Sequence, residues 1–206
     1  MNTSVGSDNL RLLWATPLLA RRLEGAGDLN ARLERAILAL RETDPGVQRS
    51  NYGGWHSGGN LFERPEPEFE ELQGVVAQAV ADCVAAVGTG VGGEIDMTIF
   101  GAANVLERGG YHTYHVHTHC HLSGVYYVST GEPDPENPKS GTICFYEPRP
   151  GGSMLHTRYL GFAEDFEVEP EPGMVLVFPA FLGHSVHPFT GAGRRITVAF
   201  NATLLD

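Results

Sequence analysis

The chain has 206 residues and a formal net charge of −11, with 42% hydrophobic and 19% charged residues. This length and apolar content suit one globular domain, and the charged fraction does not indicate disorder. The negative balance argues against nucleic acid or an anionic membrane surface as a partner.

No apolar run is long enough to span a bilayer. The N-terminus, MNTSVGS, lacks the basic and apolar regions of a secretory signal. Cys83, Cys120 and Cys144 are odd in number and widely spaced. That argues against a disulfide framework and suits a reducing cytoplasm.

In chain order, Leu10–Trp14 and Leu18–Leu19 read as short edge strands interrupted by Pro17. A helix should open at Asp28, because Leu29, Leu33, Ile37 and Leu40 recur at helical spacing, and it should stop at Thr43-Asp44-Pro45-Gly46. SNYGGWHSGGNL, 50–61, is Gly-rich and reads as a surface loop. It could also be a loop laid over a pocket, with Asn51, Trp55 or Ser57 facing a ligand. A second amphipathic helix runs from Glu70 to Val87 and places Cys83 on its apolar stripe, with 88–93 ending it.

From Glu94 the texture changes to strands and turns. Ile95, Met97 and Ile99 alternate with polar residues, and Glu107-Arg108-Gly109-Gly110 reads as a turn. Further strands are expected at Tyr111–His117, Leu122–Ser129, Gly141–Tyr146, Met174–Phe178, Gly183–Phe189 and Arg195–Thr203. About eight short strands divided by turns suggest a double-sheet jelly roll, a double-stranded β-helix with the two N-terminal helices packed on one sheet. The expected organisation is one domain over 1–206, with strands and helices in 1–93 and the jelly-roll core in 94–206.

The stretch YHTYHVHTHCHLSGVYY, 111–127, holds His112, His115, His117, His119 and His121. Histidines at i and i+2 on a strand share a face, about 6–7 Å apart at their Cα atoms. His115 and His117 can therefore close on one metal ion. His184, directly after the apolar strand ending at Phe178, is the preferred third ligand over His187, whose i+3 offset points it away. His112, His119 and His121 read as loop or supporting groups; a zinc site on His119, Cys120 and His121 would crowd adjacent residues around one ion. Each ligating imidazole must be neutral, so metal affinity should fall below about pH 6.5.

Arg195 and Thr197 share a face of the last strand, with Ala199 and Asn201 continuing it. A buried arginine facing into a barrel is expensive unless it meets an anion, and its planar fork suits a carboxylate, to which Thr197 can add a hydroxyl. Arg194 lies on the other, solvated face.

These residues resemble the double-stranded β-helix 2-oxoglutarate/Fe(II) oxygenases, of which the prolyl hydroxylases are a branch. More narrowly, the chain looks like the small bacterial and phage branch of that family. The likeness is carried by SNYGGWHS at 50–57, Asn104, G-Y-x-x-x-H-x-H-x-x-x-x-L-S-G-V-Y-Y at 110–127 and FYEPR at 145–149. It continues in FP-x-x-L-x-H-S-V-x-P at 178–188 and RITVAFN at 195–201. It implies that His115, His117 and His184 hold Fe(II), and that Arg195 and Thr197 take the distal carboxylate of 2-oxoglutarate. It adds Tyr127 as a hydroxyl partner and Asn104 and Tyr111 as groups lining the cosubstrate pocket.

The reaction implied is hydroxylation of a small-molecule or peptide substrate; a homodimer is the default assembly. The usual ligand set of this superfamily is two histidines and a carboxylate. Here the second position is His117, and nothing in its spacing recommends Asp134 in the next loop as a replacement. Three neutral ligands leave the full 2+ charge on the ion, which favours a dianionic cosubstrate. Two other readings use the same residues: a three-histidine cupin-type dioxygenase without 2-oxoglutarate, with Arg195 holding the substrate's own carboxylate, or a non-catalytic metal-binding β-sandwich.

Overall fold

The computed structural model describes residues 15–87, 95–151 and 165–205. Strand β1, Leu19–Arg22, is followed by helix α1, Gly27–Arg41, strand β2, Asn51–His56, and helix α2, Pro67–Val87. The remaining strands are β3 (Met97–His115), β4 (Leu122–Ser129), β5 (Ile143–Phe145), β6 (Phe166–Val168), β7 (Met174–Pro179), β8 (His184–Val186) and β9 (Arg195–Leu204). The expected strand at Leu10–Trp14 and the helix stop at 88–93 lie outside the described residues.

The strands hydrogen-bond in the order β1-β7-β4-β9-β3-β8-β5-β6, with β2 added to β3. The sheet curls over at β3, whose first half, Met97 to Leu106, pairs with β9, while His112 and His115 pair with β8. One long strand thus serves both layers of the jelly roll. The turn expected at 107–110 is a bend inside this strand, where Gly109 takes φ +90°, a conformation that side chains with a Cβ resist.

The helices cover the outer face of the larger layer. Leu29, Leu33, Ile37 and Leu40 of α1 and Phe69, Leu72, Val76 and Val80 of α2 pack with Val105, Tyr126, Val177, Val198 and Phe200. Helix α2 begins at Pro67, three residues before the expected start, because proline suits the first helical turn and Glu68 and Glu70 complement its N-terminal dipole. Cys83 is buried on its apolar stripe. Tyr126 belongs to this outer core and donates its hydroxyl proton to Asn30 Oδ1 at 2.7 Å. Its neighbour Tyr127 points the opposite way, as alternation on β4 requires. It packs between the layers with Leu106, Val125, Phe145, Leu176 and Phe178.

The 50–61 segment differs from both sequence readings. Its first half is strand β2, paired with β3 from Asn51↔His112 to His56↔Asn104. Asn51 is buried and serves the backbone: it accepts from Arg49 N–H at 2.8 Å and donates to Gly54 O at 3.1 Å. Trp55 joins the core and donates its indole N–H to Asp44 O at 2.9 Å. Ser57 Oγ accepts from Ala103 N–H at 3.0 Å. These three residues fasten β2 in place. Among the described residues no helix is long and apolar enough to cross a membrane.

Candidate active site

A cavity of about 490 Å³ opens between the layers. Its floor follows from strand register. Asn104, Thr197 and Tyr127 sit abreast on β3, β9 and β4. One step along, Ala102, Ala199 and Val125 form the next row; two alanines there leave the space that larger side chains would fill. Arg195 closes the inner end and Asn201 stands toward the mouth beside Phe100, all within the cavity lining.

His115, His117 and His184 meet on the opposite wall. One ring nitrogen from each lies within 4.8 Å of the others. Ring centroids are 4.2 Å apart for His115–His184 and 5.2 Å for each pair with His117. His115 and His184 are directly paired across β3 and β8. His117 is not on the strand, which ends at His115; it is fixed by its N–H donating to Ala180 O at 2.9 Å. The HxH pair therefore converges through the chain's exit from β3 rather than through simple strand alternation. A register shift between His112 and His115 also brings His112 into the cavity wall.

The tautomers suit metal binding. His115 Nδ1–H donates to Thr113 O at 2.8 Å and His184 Nδ1–H to Leu182 O at 2.9 Å. In the neutral rings this leaves the Nε2 lone pairs for the cluster. Burial lowers all three pKa values, His117 to about 4 and His184 to about 3. Protons therefore begin to compete for the ligands well below the pH 6.5 expected for free imidazoles. His112 is depressed to about 3 by burial and by the Arg195 charge; its Nδ1 lies 3.1 Å from Ser50 Oγ, which also sits 3.4 Å from His115 Nε2.

Arg195 is only 2% exposed. Its Nε donates to Gly141 O at 3.0 Å, and no carboxylate pairs with it among the described residues. Burial lowers its pKa, but an arginine so placed remains a cation and stands uncompensated. Tyr127 lies beside it, with the guanidinium carbon 5.1 Å from the ring centroid. The Tyr127 hydroxyl is buried without a hydrogen-bond partner, as are Asn104 Oδ1 and Asn201 Oδ1. Orphaned polar atoms of this kind signal a missing ligand. Among the described residues no aspartate or glutamate lines the cavity. Three neutral nitrogen donors, a lone buried guanidinium and an unpaired hydroxyl fit a divalent cation together with a dicarboxylate.

The structure brings together His115, His117, His184, Arg195, Thr197, Tyr127 and Asn104. It places Tyr111 elsewhere: that ring stacks on Tyr52 at 5.1 Å between centroids, outside the cavity lining. Asp134 lies in a surface turn, where its carboxylate accepts from Glu136 N–H. His121 Nδ1 accepts from Leu204 N–H at 3.0 Å, a structural use. Arg194 is a rim residue 3.7 Å from Glu107. Arg49, Ser50 and His56 line the cavity without having been singled out, and His112, read from the sequence as a loop or supporting group, lines it too. Reading β2 as a strand would have found Ser50 and His56 alternating at its ends.

A jelly roll that presents three convergent imidazoles beside a buried arginine offers one site for a metal ion and an anion. Residues 103–201, just under half of the chain, match the family described as "Putative 2OG-Fe(II) oxygenase", and this segment carries all three histidines, Arg195 and Thr197. The fold is similar to that of a Pseudomonas putida prolyl-4-hydroxylase at a TM-score of 0.66 and 13% identity, covering 93% of this chain and 95% of that one. A Trichoplax adhaerens prolyl hydroxylase, in complex with a peptide fragment of hypoxia inducible factor, follows at 0.64 and 12%, covering 90% and 83%. HygX from Streptomyces hygroscopicus, with nickel and 2-oxoglutarate bound, gives 0.53 and 15%, covering 91% and 83%. No curated protein matches the chain.

Proposed function

We propose that His115, His117 and His184 hold Fe(II), that Arg195 takes the distal carboxylate of 2-oxoglutarate, and that the enzyme oxidises a C–H bond of a substrate entering from the mouth. The uncompensated guanidinium of Arg195 at the floor, facing an all-neutral ligand set, is the observation that carries this reading. With O2, Fe(II) and 2-oxoglutarate supply the oxidising power for C–H hydroxylation, with release of succinate and CO2.

The chain's own groups do the positioning. Arg195 offers a two-pronged donor to a carboxylate, Thr197 and Tyr127 add hydroxyl donors from the same floor, and the carbonyls of Thr113 and Leu182 orient two of the ligating rings. Phe178, Val186 and Ile143 keep water from the inner wall. Phe100 and Val116, both partly exposed at the mouth, and Arg49 would meet the substrate, a peptide side chain or a small molecule. A cytoplasmic setting and a homodimer complete the proposal; the three cysteines, none in a disulfide, support the former. Tyr111 remains a candidate only through its place beside β2.

Anaerobic titration of Fe(II) and then 2-oxoglutarate tests the assignment. A visible metal-to-ligand band is expected, abolished in His115→Ala. O2 uptake should require 2-oxoglutarate and yield succinate. Absence of the band, or O2 uptake indifferent to 2-oxoglutarate, would overturn the reading in favour of the cupin-type alternative.

A further inference from the structure

A second group of metal-type side chains lies on the outer face of the smaller layer, away from the cavity. Cys144 of β5 pairs with Glu167 of β6 on one side and Ser185 of β8 on the other. Opposed residues of antiparallel strands share a face, so all three point outward. His187, two residues beyond Ser185, has the same parity and is held by its N–H donating to Thr142 O at 3.0 Å. Cys144 Sγ, a Glu167 carboxylate oxygen and a ring nitrogen of His187 all lie within 4.8 Å of one another. The inner face of these strands carries Ile143, Phe145, His184 and Val186, so this cluster and the active site sit back to back across one layer.

We propose that Cys144, Glu167 and His187 bind a zinc-type divalent cation. Thiolate, imidazole and carboxylate are the donor set that a borderline-soft tetrahedral ion takes. Metal–ligand bonds of about 2.0–2.3 Å place tetrahedral ligand atoms roughly 3.3–3.7 Å apart, so contraction by about 1 Å closes the site. The thiol is buried, while the side chains of Glu167 and His187 are 31% and 30% exposed, which leaves the fourth position to water. In the metal-free form Glu167 Oε1 is shared by Lys139 Nζ at 2.7 Å and His187 Nε2 at 3.1 Å. Lys139 is the competitor. Its side chain, 59% exposed, swings to solvent as the cation takes its place, and the Cys144 thiol proton is released to solvent. The bound ion ties three strands of the layer edge together and anchors the segment that carries His184, three residues before His187.

Titration with Co(II) as the probe separates this site from the histidine cluster, which contains no sulfur. A thiolate-to-cobalt charge-transfer band is expected in the near ultraviolet. It should persist in His115→Ala and Cys120→Ser and vanish in Cys144→Ser. With Zn(II), the wild type should bind two equivalents and Cys144→Ser one; the equivalent retained at the histidine cluster also reports that the variant is folded. His187→Ala, at the exposed edge, should weaken the sulfur-linked site by at least tenfold. Lys139→Gln should tighten it by up to about fivefold, the equivalent of one exposed ion pair. A band that survives Cys144→Ser, or a wild type that binds one equivalent and shows no sulfur band, would overturn the proposal.

Discussion

Substituting Arg195 by methionine should move stability and cosubstrate affinity in opposite directions. In the ligand-free protein this side chain is 2% exposed, makes one hydrogen bond to Gly141 O at 3.0 Å and meets no carboxylate among the described residues. Burying an ion without a counter-charge costs several kcal/mol, and a hydrogen bond to a charged group returns about 1.5–3. A methionine of similar length removes both effects. The ligand-free variant should therefore hold its stability or gain about 1–2 kcal/mol, a rise of a few degrees in Tm for a chain of this size. Cosubstrate binding behaves differently, since removing one partner of a buried charge pair costs about 3–5 kcal/mol. That corresponds to roughly two to three and a half orders of magnitude in Kd for 2-oxoglutarate. Anaerobic calorimetry on Mn(II)-loaded protein reads the affinity, and thermal unfolding with and without 2-oxoglutarate reads the stabilisation that binding confers. An affinity within tenfold of wild type would refute the anion-receptor assignment. So would a ligand-free variant destabilised by more than about 3 kcal/mol, which would make Arg195 a structural residue.

Three further outcomes follow from the same geometry. His184→Ala should lower Fe(II) affinity by more than about a hundredfold, since loss of a ligand exceeds the effect of losing its supporting partner; competition with a chromophoric chelator measures it. Gly141 adopts φ +69°, and a Cβ there would stand 3.1 Å from Arg195 Cδ. Gly141→Ala should cost about 1–2 kcal/mol of stability, and relief of the clash by moving Arg195 should weaken 2-oxoglutarate by up to about tenfold, visible in the same calorimetry. The metal-free protein should be acid-labile: His112 and His184 are held neutral with pKa values of about 3, against about 6.5 in an unfolded chain. Below pH 6.5 the unfolded state takes up protons that the native state refuses, so stability is full above that pH and falls as pH drops toward 3. Each group contributes about 1.4 kcal/mol per pH unit across the window. Urea unfolding at pH 7 and 5 checks this, and equal midpoints would contradict it.

Much of this site was readable because its parts obey strand alternation. Arg195, Thr197, Ala199 and Asn201 share a face in the sequence and line one cavity in the structure. His184 follows an apolar strand and faces inward, whereas His187 faces outward as its offset requires. The parts that escaped depend on irregularity. Gly109 and the shifts along β3 let one strand serve two layers, which no local pattern announces, and they turn His112 toward the cavity and Tyr111 out of it. Strand β2 was hidden by its glycines: Gly54 admits a close approach to Leu106, whose Cδ2 would lie 2.5 Å from an added Cβ. Glycine there reflects the tight packing of β2 on β3 and not a loop. Strand β6 has three residues and owes its place to pairing with β5, a long-range cause that its own sequence does not contain.

The charge pattern explains why an acidic chain can run a cationic site. Among the described residues no aspartate or glutamate is buried, so the acidic groups behind the net charge of −11 stand where water screens them within about 8 Å at physiological salt. Inside the cavity no carboxylate of the described residues answers Arg195, and three neutral imidazoles answer no part of a divalent charge. The ligand-free cavity is thus electrostatically incomplete, and its unpaired groups, Tyr127 Oη, Asn104 Oδ1 and Asn201 Oδ1, are incomplete as hydrogen bonders. A carboxylate in place of His117 would relieve the first deficit and reduce the attraction for a dianion. On the proposed assignment the imidazole would leave that task to the cosubstrate, and stability withheld from the ligand-free fold would be recovered as affinity for a dianion that reaches both the ion at the histidine wall and Arg195.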